Sequence, residues 1–179
     1  MVYIILIVIS FLLDQLTKAY YYRVYDQSIV KGFLSFNYIE NDGAAYGMLG
    51  DFKYAQLLFA ILTVVFLIAL FFFYAFTKKK SKWLHTSLAF VVGGTLGNFV
   101  DRISFSYVRD FLQVRNPFNL GFFNFMNFTC NVADIFLCVG AAMLVIYILF
   151  MDADALFRKK QKPEDLQNAD KTLDEPAAK

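Results

Sequence analysis

The sequence has few residues of the kinds that bind metal ions or form disulfides. It holds one histidine, His85, and two cysteines, Cys130 and Cys138, which are distant from the histidine along the chain. A zinc site requires about four suitable ligands, so we expect neither a metal centre nor a cofactor. The cysteines are eight residues apart. On one helix they would lie about 12 Å apart, which is too far for a disulfide.

Charged residues are also scarce. They make up 18% of the 179 residues and sum to a net charge of +2, against 59% apolar and 19% aromatic residues. So small a net charge does not favour a nucleic-acid partner, and we expect none. With a mean hydropathy of +0.50, the composition lies outside the range of soluble globular proteins and predicts a one-domain membrane protein.

Four apolar segments approach or exceed the roughly 20 residues needed to cross a bilayer. They cover residues 1–22, 54–76, 84–103 and 132–151. The predicted fold is therefore a mainly α membrane domain at residues 1–151, with outer loops at 23–53 and 104–131 and a charged cytoplasmic tail at 152–179. The first segment has no basic n-region and no small-residue cleavage site, so we expect a retained span and not a signal peptide.

The positions of lysine and arginine predict the orientation. Lys78, Lys79, Lys80 and Lys82 crowd the link between the second and third spans, and basic residues at 158–160 and 162 follow the fourth. Both sites are expected to be cytoplasmic, and so are both termini. The polar residues within the spans then converge on the extracytoplasmic side.

The outer loops are predicted to form a small β-rich and amphipathic element on that side. Gly32–Ile39 has the composition of a strand or two, and Glu40–Gly43 is typical of a turn. Ala44–Leu49 can form a short surface helix. The aromatic residues of the loop at 116–128 are typical of the membrane interface.

Two aspartates lie at the edges of this apolar sequence: Asp110 just after the third span, and Asp134 near the start of the fourth. A carboxylate at the centre of a helix in hydrocarbon costs roughly 2.5–3.5 kcal/mol. A chain that doubles back can bring the two together, and like-charge repulsion then leaves one proton on the pair. One member can act as base and the other as acid. Taken singly, each can also be structural, as a helix cap or a paired buried charge.

Four other charged residues lie in the spans. Asp14 and Lys18, four residues apart with the acid first, form a favourable helical ion pair, and Lys18 can also snorkel towards the interface. We expect a structural role for both. Asp101 and Arg102 leave two roles open: contacts to the outer loop or to each other's charge, or binding of a substrate carbonyl or phosphate by Arg102.

Several small or neutral residues complete the pattern. Gly93, Gly94 and Gly97 predict close approach of helices and not a phosphate loop, since no strand precedes them and no Lys-Ser or Lys-Thr follows. Asn41 and Gly43 form a turn or a loop folded against a lipid-facing groove. Asn131 falls on the same side of a helix as Asp134, or at its cap, and can bind a carboxylate or a peptide backbone.

Five motifs, in order, resemble those of the signal peptidase II (lipoprotein signal peptidase) family. They are L-D-Q-L-T-K, N-D-G-A-A-Y-G, G-G-T-L-G-N-F-V-D-R, V-R-D-F and N-V-A-D-I, and the resemblance covers about residues 10–150. It implies a four-span aspartyl protease of the bacterial cytoplasmic membrane that is sensitive to globomycin. The implied substrates are prolipoproteins, cut at the outer leaflet before a cysteine that carries diacylglycerol.

The resemblance also implies roles for residues. Asp110 and Asp134 match the catalytic pair, with no metal and no covalent intermediate. The residues that match those holding the peptide and the pair are Asn41, Gly43, Asn98, Arg102 and Asn131. Two positions depart from the family pattern: Cys130 and Tyr46 stand where phenylalanine is usual, which alters the shape of the pocket.

Two other classes of function are compatible with acids in membrane spans. A small ion- or proton-coupled transporter also needs such acids, but it would want polar groups through the whole bilayer. The inner halves of the second and fourth spans offer none. A non-enzymatic anchor protein would not need the acids. Apart from substrate and membrane lipid we expect no partner, and the chain is expected to be a monomer.

Overall fold

The computed structural model describes residues 1–43, 54–115 and 128–151. Its helices are α1 (Val2–Tyr20), α2 (Ala55–Phe76), α3 (Lys82–Phe105) and α4 (Val132–Ile146), the last continuing as a π-helical turn, Tyr147–Met151. Its strands are β1 (Gln27–Val30), β2 (Leu34–Asn41), β3 (Val108–Val114) and β4 (Phe128–Cys130). Three predictions fall outside the described residues: the surface helix at 44–49, the aromatic loop at 116–127, and the tail from residue 152 onward.

Helix α3 lies at the centre of the bundle, and α1, α2 and α4 all pack against it. Its glycines are the reason that the neighbours approach so closely. A Cβ atom at Gly93 would overlap Ser10 of α1, and one at Gly94 would overlap the backbone of Ala133 at the start of α4. The predicted role of these glycines in helix packing is confirmed.

Within the described residues, three helices are long and apolar enough to cross a membrane: α1, α2, and α4 with its π-helical turn. Helix α3 has 24 residues, a length of about 36 Å, but it is not apolar enough to qualify. Its surface faces the other helices more than lipid, so small and polar side chains replace large apolar ones. Of the predicted fold, the structure thus supports three apolar helices and a small sheet.

The strands form one antiparallel sheet in the order β1-β2-β3-β4. The strand expected at 32–39 is present, but β2 extends to Asn41, so the turn expected at 40–43 begins later. Strands β3 and β4 lie in a region predicted only as an outer loop. The sequence of β3 contains two adjacent charged residues, Arg109 and Asp110, which are typical of a loop. In the structure both side chains are buried.

Aromatic stacking attaches the sheet to the end of α1. The ring of Tyr21 lies between Phe36 of β2 and Phe111 of β3, at centroid distances of 3.9 and 4.8 Å. Strand β3 is thereby held beside the last turn of α1 and the end of α3. The polar residues of three helices and two strands consequently meet at one end of the molecule.

Candidate active site

Asn131 connects the two aspartates. Its side-chain amide donates to Asp110 Oδ1 at 2.6 Å, and its backbone N–H donates to Asp134 Oδ2 at 3.0 Å. Its own side-chain oxygen accepts from the backbone N–H of Asp134, so that Asn131 and Asp134 form a reciprocal capping box at the start of α4. The structure therefore brings the predicted pair together, and Asp134 is at the same time a helix-capping residue.

Two further asparagines orient the carboxylates. Asn41, at the end of β2, donates to Asp110 Oδ2 at 2.9 Å, and Asn98 of α3 donates to Asp134 Oδ1 at 2.8 Å. The backbone N–H of Gly43 donates to Asn41 Oδ1, which fixes that side chain in a tight turn. Each carboxylate thus accepts two hydrogen bonds from groups on different elements. We name Asp110, Asp134 and the three asparagines that bind them, Asn41, Asn98 and Asn131, the acid pair site.

The two acids differ in exposure, and burial changes the pKa of Asp110. Asp110 is 3% exposed, whereas Asp134 is half-buried. Burial, followed by the negative charge of Asp134, raises the pKa of Asp110 from 3.8 to about 7, although hydrogen bonds from Asn41 and Asn131 act in the opposite direction. At pH values below about 7, Asp110 therefore retains its proton.

This pKa makes the stability of the folded protein depend on pH. Asp110 binds its proton more tightly in the folded chain than in the unfolded chain, so its contribution is complete below about pH 4 and is lost as the pH rises to 7. Between these values it should lower the unfolding free energy by up to about 1.4 kcal/mol per pH unit. Thermal unfolding in detergent should show this slope for the native chain and lose it in Asp110→Asn.

The matched control is Asp26→Asn, at an exposed acid in the turn before β1. Its unfolding temperature should follow the native pH profile. If the difference between the native chain and Asp110→Asn were flat from pH 4 to 8, the raised pKa of Asp110 would be wrong.

A second group of charges lies directly beneath the acid pair site. Lys18 is fully buried, and its Nζ lies 2.8 Å from Asp14, 3.4 Å from Asp101 and 2.8 Å from the side-chain oxygen of Asn98. Asp14 also accepts from the backbone N–H of Ala133 at 2.9 Å, which ties α1 to the start of α4. The predicted Asp14–Lys18 ion pair is present, but the expectation that Lys18 snorkels is wrong, because a neighbouring helix covers it.

Asp101 pairs with a residue that sequence reasoning missed. Arg109 Nη2 lies 2.7 Å from Asp101 Oδ1, and the Arg109 backbone N–H also donates to Asp101. Gln15 joins them: it accepts from Arg109 at 2.9 Å and donates to Asp14, Asp101 and the Gly97 carbonyl. Only their positions in the sequence could have indicated these two residues, since Gln15 directly follows Asp14 and Arg109 directly precedes Asp110 in the motifs. We name Asp14, Gln15, Lys18, Asp101 and Arg109 the charge cluster.

Arg102 has no place in the charge cluster. Its Nε is buried and finds no hydrogen-bond partner among the described residues, and its guanidinium carbon lies 5.2 Å from the centroid of the Phe59 ring. The guanidinium is attracted by the negative charges of Asp134 and Asp110, and less strongly by that of Asp101. Of the two roles left open by the sequence, this arrangement favours a guanidinium that faces the acid pair site over one that binds Asp101.

Cys130 borders the acid pair site, whereas Tyr46 lies outside the described residues. The Cys130 thiol donates to the Leu112 carbonyl at 3.6 Å, and burial together with the charges of Asp134 and Asp110 raises its pKa to about 12. The thiol is therefore neutral. Cys130 lies in β4 and not on the helix that carries Cys138, and both cysteines are free. Among the described residues, no three His, Cys, Asp or Glu side chains are grouped to hold a metal ion.

The fold and the site define a helical membrane protein with two carboxylates held by amides at one end of its bundle. Comparison with known proteins specifies the class further. The sequence profile of signal peptidase (SPase) II matches residues 6–150, so the chain belongs to the signal peptidase II family. The family is one of proteases, and the match gives no support to an ion-coupled transporter.

Individual relatives agree with this assignment. The chain is 32% identical over 150 residues to a lipoprotein signal peptidase of Clostridium novyi, covering 82% of this chain and 96% of that protein. It is 38% identical over 141 residues to a lipoprotein signal peptidase of Streptococcus pneumoniae, covering 76% and 85%. A solved bacterial membrane enzyme superposes with a TM-score of 0.72 at 25% identity, covering 90% of this chain and 93% of that one. The chain is accordingly a protein of the cytoplasmic membrane.

Proposed function

We propose that this signal peptidase II removes the signal peptides of prolipoproteins by cutting before a cysteine that carries diacylglycerol, with Asp110 and Asp134 as the catalytic pair. The relatives named lipoprotein signal peptidase support the substrate class. The observation that carries the catalytic assignment is the position of Asn131, a single residue that binds one carboxylate by its side chain and the other by its backbone.

The difference between the two acids suggests their roles. Asp134, half-buried and hydrogen-bonded by Asn98 and Asn131, is the base that takes a proton from water as the water attacks the scissile carbonyl. Asp110, with its pKa raised to about 7 by burial and by the charge of Asp134, is the acid that donates to the carbonyl oxygen. General acid and base assistance of this kind is worth roughly 10²–10⁴ each.

The surrounding residues hold the pair and the peptide. Asn41, fixed by Gly43, and Asn98 keep the carboxylates in position. Arg102 has hydrogen-bond donors to offer a peptide carbonyl, because its Nε has no partner in the described part of the chain. Asp14, Lys18 and Asp101 support the site from below and are structural.

The distribution of charge supports a topology of four spans with both termini in the cytoplasm. The exposed lysines at residues 78–80 and 82 lie at the end of α3 opposite to the acid pair site, and basic residues favour the cytoplasmic side. The acid pair then lies at the outer leaflet, where a diacylglyceryl substrate reaches it by lateral diffusion. In this arrangement α3 is the remaining span, shielded from lipid by its neighbours, and a monomer holds all the residues required.

Cleavage of two matched precursors tests this function. Purified protein should release the signal peptide from a precursor whose cysteine carries diacylglycerol and should leave the unmodified precursor intact, and mass spectrometry should place the cut directly before that cysteine. Globomycin should block the reaction. Equal cleavage of both precursors, or a cut elsewhere, would contradict the proposed specificity.

Two substitutions of Asn131 separate its roles as cap and as bridge. Asn131→Ser retains a good capping residue but loses the amide that binds Asp110, whereas Asn131→Ala loses both. We expect cleavage to fall by about 10- to 100-fold in both variants, as a misplaced catalytic group does. Only the alanine variant should also lose the capping contribution, about 1 kcal/mol of unfolding free energy. If Asn131→Ser cleaved the precursor at the native rate, the hydrogen bond from Asn131 to Asp110 would have no role in the mechanism.

A further inference from the structure

A groove of about 430 Å³ lies between α1, α2 and α3, a volume within the usual range of ligand pockets, roughly 300–1,000 Å³. Leu88, Ala89 and Val92 of α3 form its floor, and Ile7 of α1 and Leu70 of α2 form its walls. It is distinct from the acid pair site. Along α3, His85 at the mouth of the groove and Asn98 at the acid pair are separated by about 20 Å.

Aromatic residues form a fixed rim at the mouth. His85 Nδ1 lies 2.6 Å from the Ser81 carbonyl oxygen, which can only accept, so Nδ1 carries the proton. The Tyr74 hydroxyl and His85 Nε2 form a hydrogen bond of 3.0 Å, and the ring of Tyr3 stacks on the imidazole at a centroid distance of 4.7 Å. The rim of the groove therefore consists of one aromatic ring from each of the three helices, in contact with one another.

Positive charge surrounds this rim. Lys78, Lys79, Lys80 and Lys82 are exposed, and Lys80 Nζ lies 4.5 Å from the centroid of the Tyr74 ring, which places an ammonium group at the mouth. The sequence has no aspartate or glutamate between residues 54 and 100. The groove thus combines an apolar interior with an ammonium group at its entrance.

We propose that this groove binds an anionic glycerophospholipid, with one acyl chain between α1 and α2 and the phosphate at the lysines of the α2–α3 link. The apolar floor fits a hydrocarbon chain and excludes a soluble anion as the ligand. The lysines supply the preference for negative charge, because a basic residue beside an anionic lipid strengthens binding by roughly fivefold. This site goes beyond the peptidase function and does not depend on it.

Native mass spectrometry of the full chain in detergent, with equal amounts of phosphatidylglycerol and phosphatidylcholine, tests the proposal. The native chain should retain phosphatidylglycerol preferentially. The combined variant Lys78→Gln, Lys80→Gln and Lys82→Gln should bind it more weakly, by roughly fivefold for each lysine removed. Leu70→Trp, which fills the groove without changing charge, should reduce the binding of both lipids.

The matched control removes the same charge elsewhere, by Lys159→Gln, Lys160→Gln and Lys162→Gln in the tail. It should retain the lipid preference, and thermal unfolding should show that every variant is folded. Equal retention of the two lipids by the native chain would overturn the proposal, as would an equal loss in the tail variant or undiminished binding by Leu70→Trp. A dimer that forms at the expense of bound lipid would assign the groove to a second copy of the chain instead.

Discussion

Asp110→Asn and Asp134→Asn are each expected to abolish cleavage of a lipidated precursor almost completely, by at least the roughly 10²–10⁴-fold contributed by one general acid or base. An asparagine at 134 cannot take a proton from water. An asparagine at 110 cannot give one to the oxygen of the scissile carbonyl. The rate constant should be measured under single-turnover conditions, so that loss of chemistry is separated from loss of substrate binding.

Each variant is also expected to weaken the fold, because the carboxylate that it replaces accepts two hydrogen bonds. At position 110 an asparagine presents one oxygen to two amide donors, Asn41 and Asn131, so one of them loses its acceptor, at a cost of about 1–3 kcal/mol. Thermal unfolding must therefore accompany the rate measurement, and Asp26→Asn serves as the control with native activity. Substantial cleavage by either folded variant would disprove the catalytic pair.

Lys18→Met is expected to cause the largest loss of stability, about 3–5 kcal/mol, because it leaves the buried carboxylate of Asp14 without its counterion. Lys18 lies between Asp14 and Asp101, and of the described residues only Arg109 brings another cation to this cluster. Methionine matches the shape of the lysine stem, so the effect reports the charge and not a cavity. Chemical or thermal unfolding in detergent gives the measurement.

Lys31→Met, at an exposed lysine in the turn between β1 and β2, is the control and should unfold as the native chain does. A further effect distinguishes Lys18 from a purely structural lysine. Because its Nζ binds Asn98, which holds Asp134, any Lys18→Met protein that remains folded should also cleave more slowly. If the variant matched the native chain in stability, the charge cluster would have no energetic role.

The helices of this fold can be predicted from the sequence because long apolar runs mark them. The helices at 2–20, 55–76 and 82–105 agree closely with the segments expected from apolar runs and flanking charges. Strands β3 and β4 could not be predicted in the same way. Asp110 is buried in a strand only because Asn41 and Asn131, which lie 69 and 21 residues away along the chain, bind it. Arg109 is buried beside it because it pairs with Asp101 at the end of α3.

The site was predictable to the extent that its residues carry motifs. Asp110 and Asp134 could be paired from their positions in the spans, and Asn131 could be placed near a carboxylate. The partner of Asp101 could not, because adjacency suggested Arg102 whereas the fold brings Arg109 to it across the end of α3. Contacts of this kind depend on the direction of side chains after the helix has ended, which composition does not encode.

The junction of β4 with α4 has a consequence for biosynthesis. Asn131 holds Asp110 only when the final helix has begun, and the amino end of that helix docks on Asp14, near the start of the chain. A nascent polypeptide whose last helix has not yet entered the bilayer therefore possesses one acid without its companion. With Asp110 and Asp134 as the proposed catalytic pair, proteolytic competence is expected only after the final helix has been inserted.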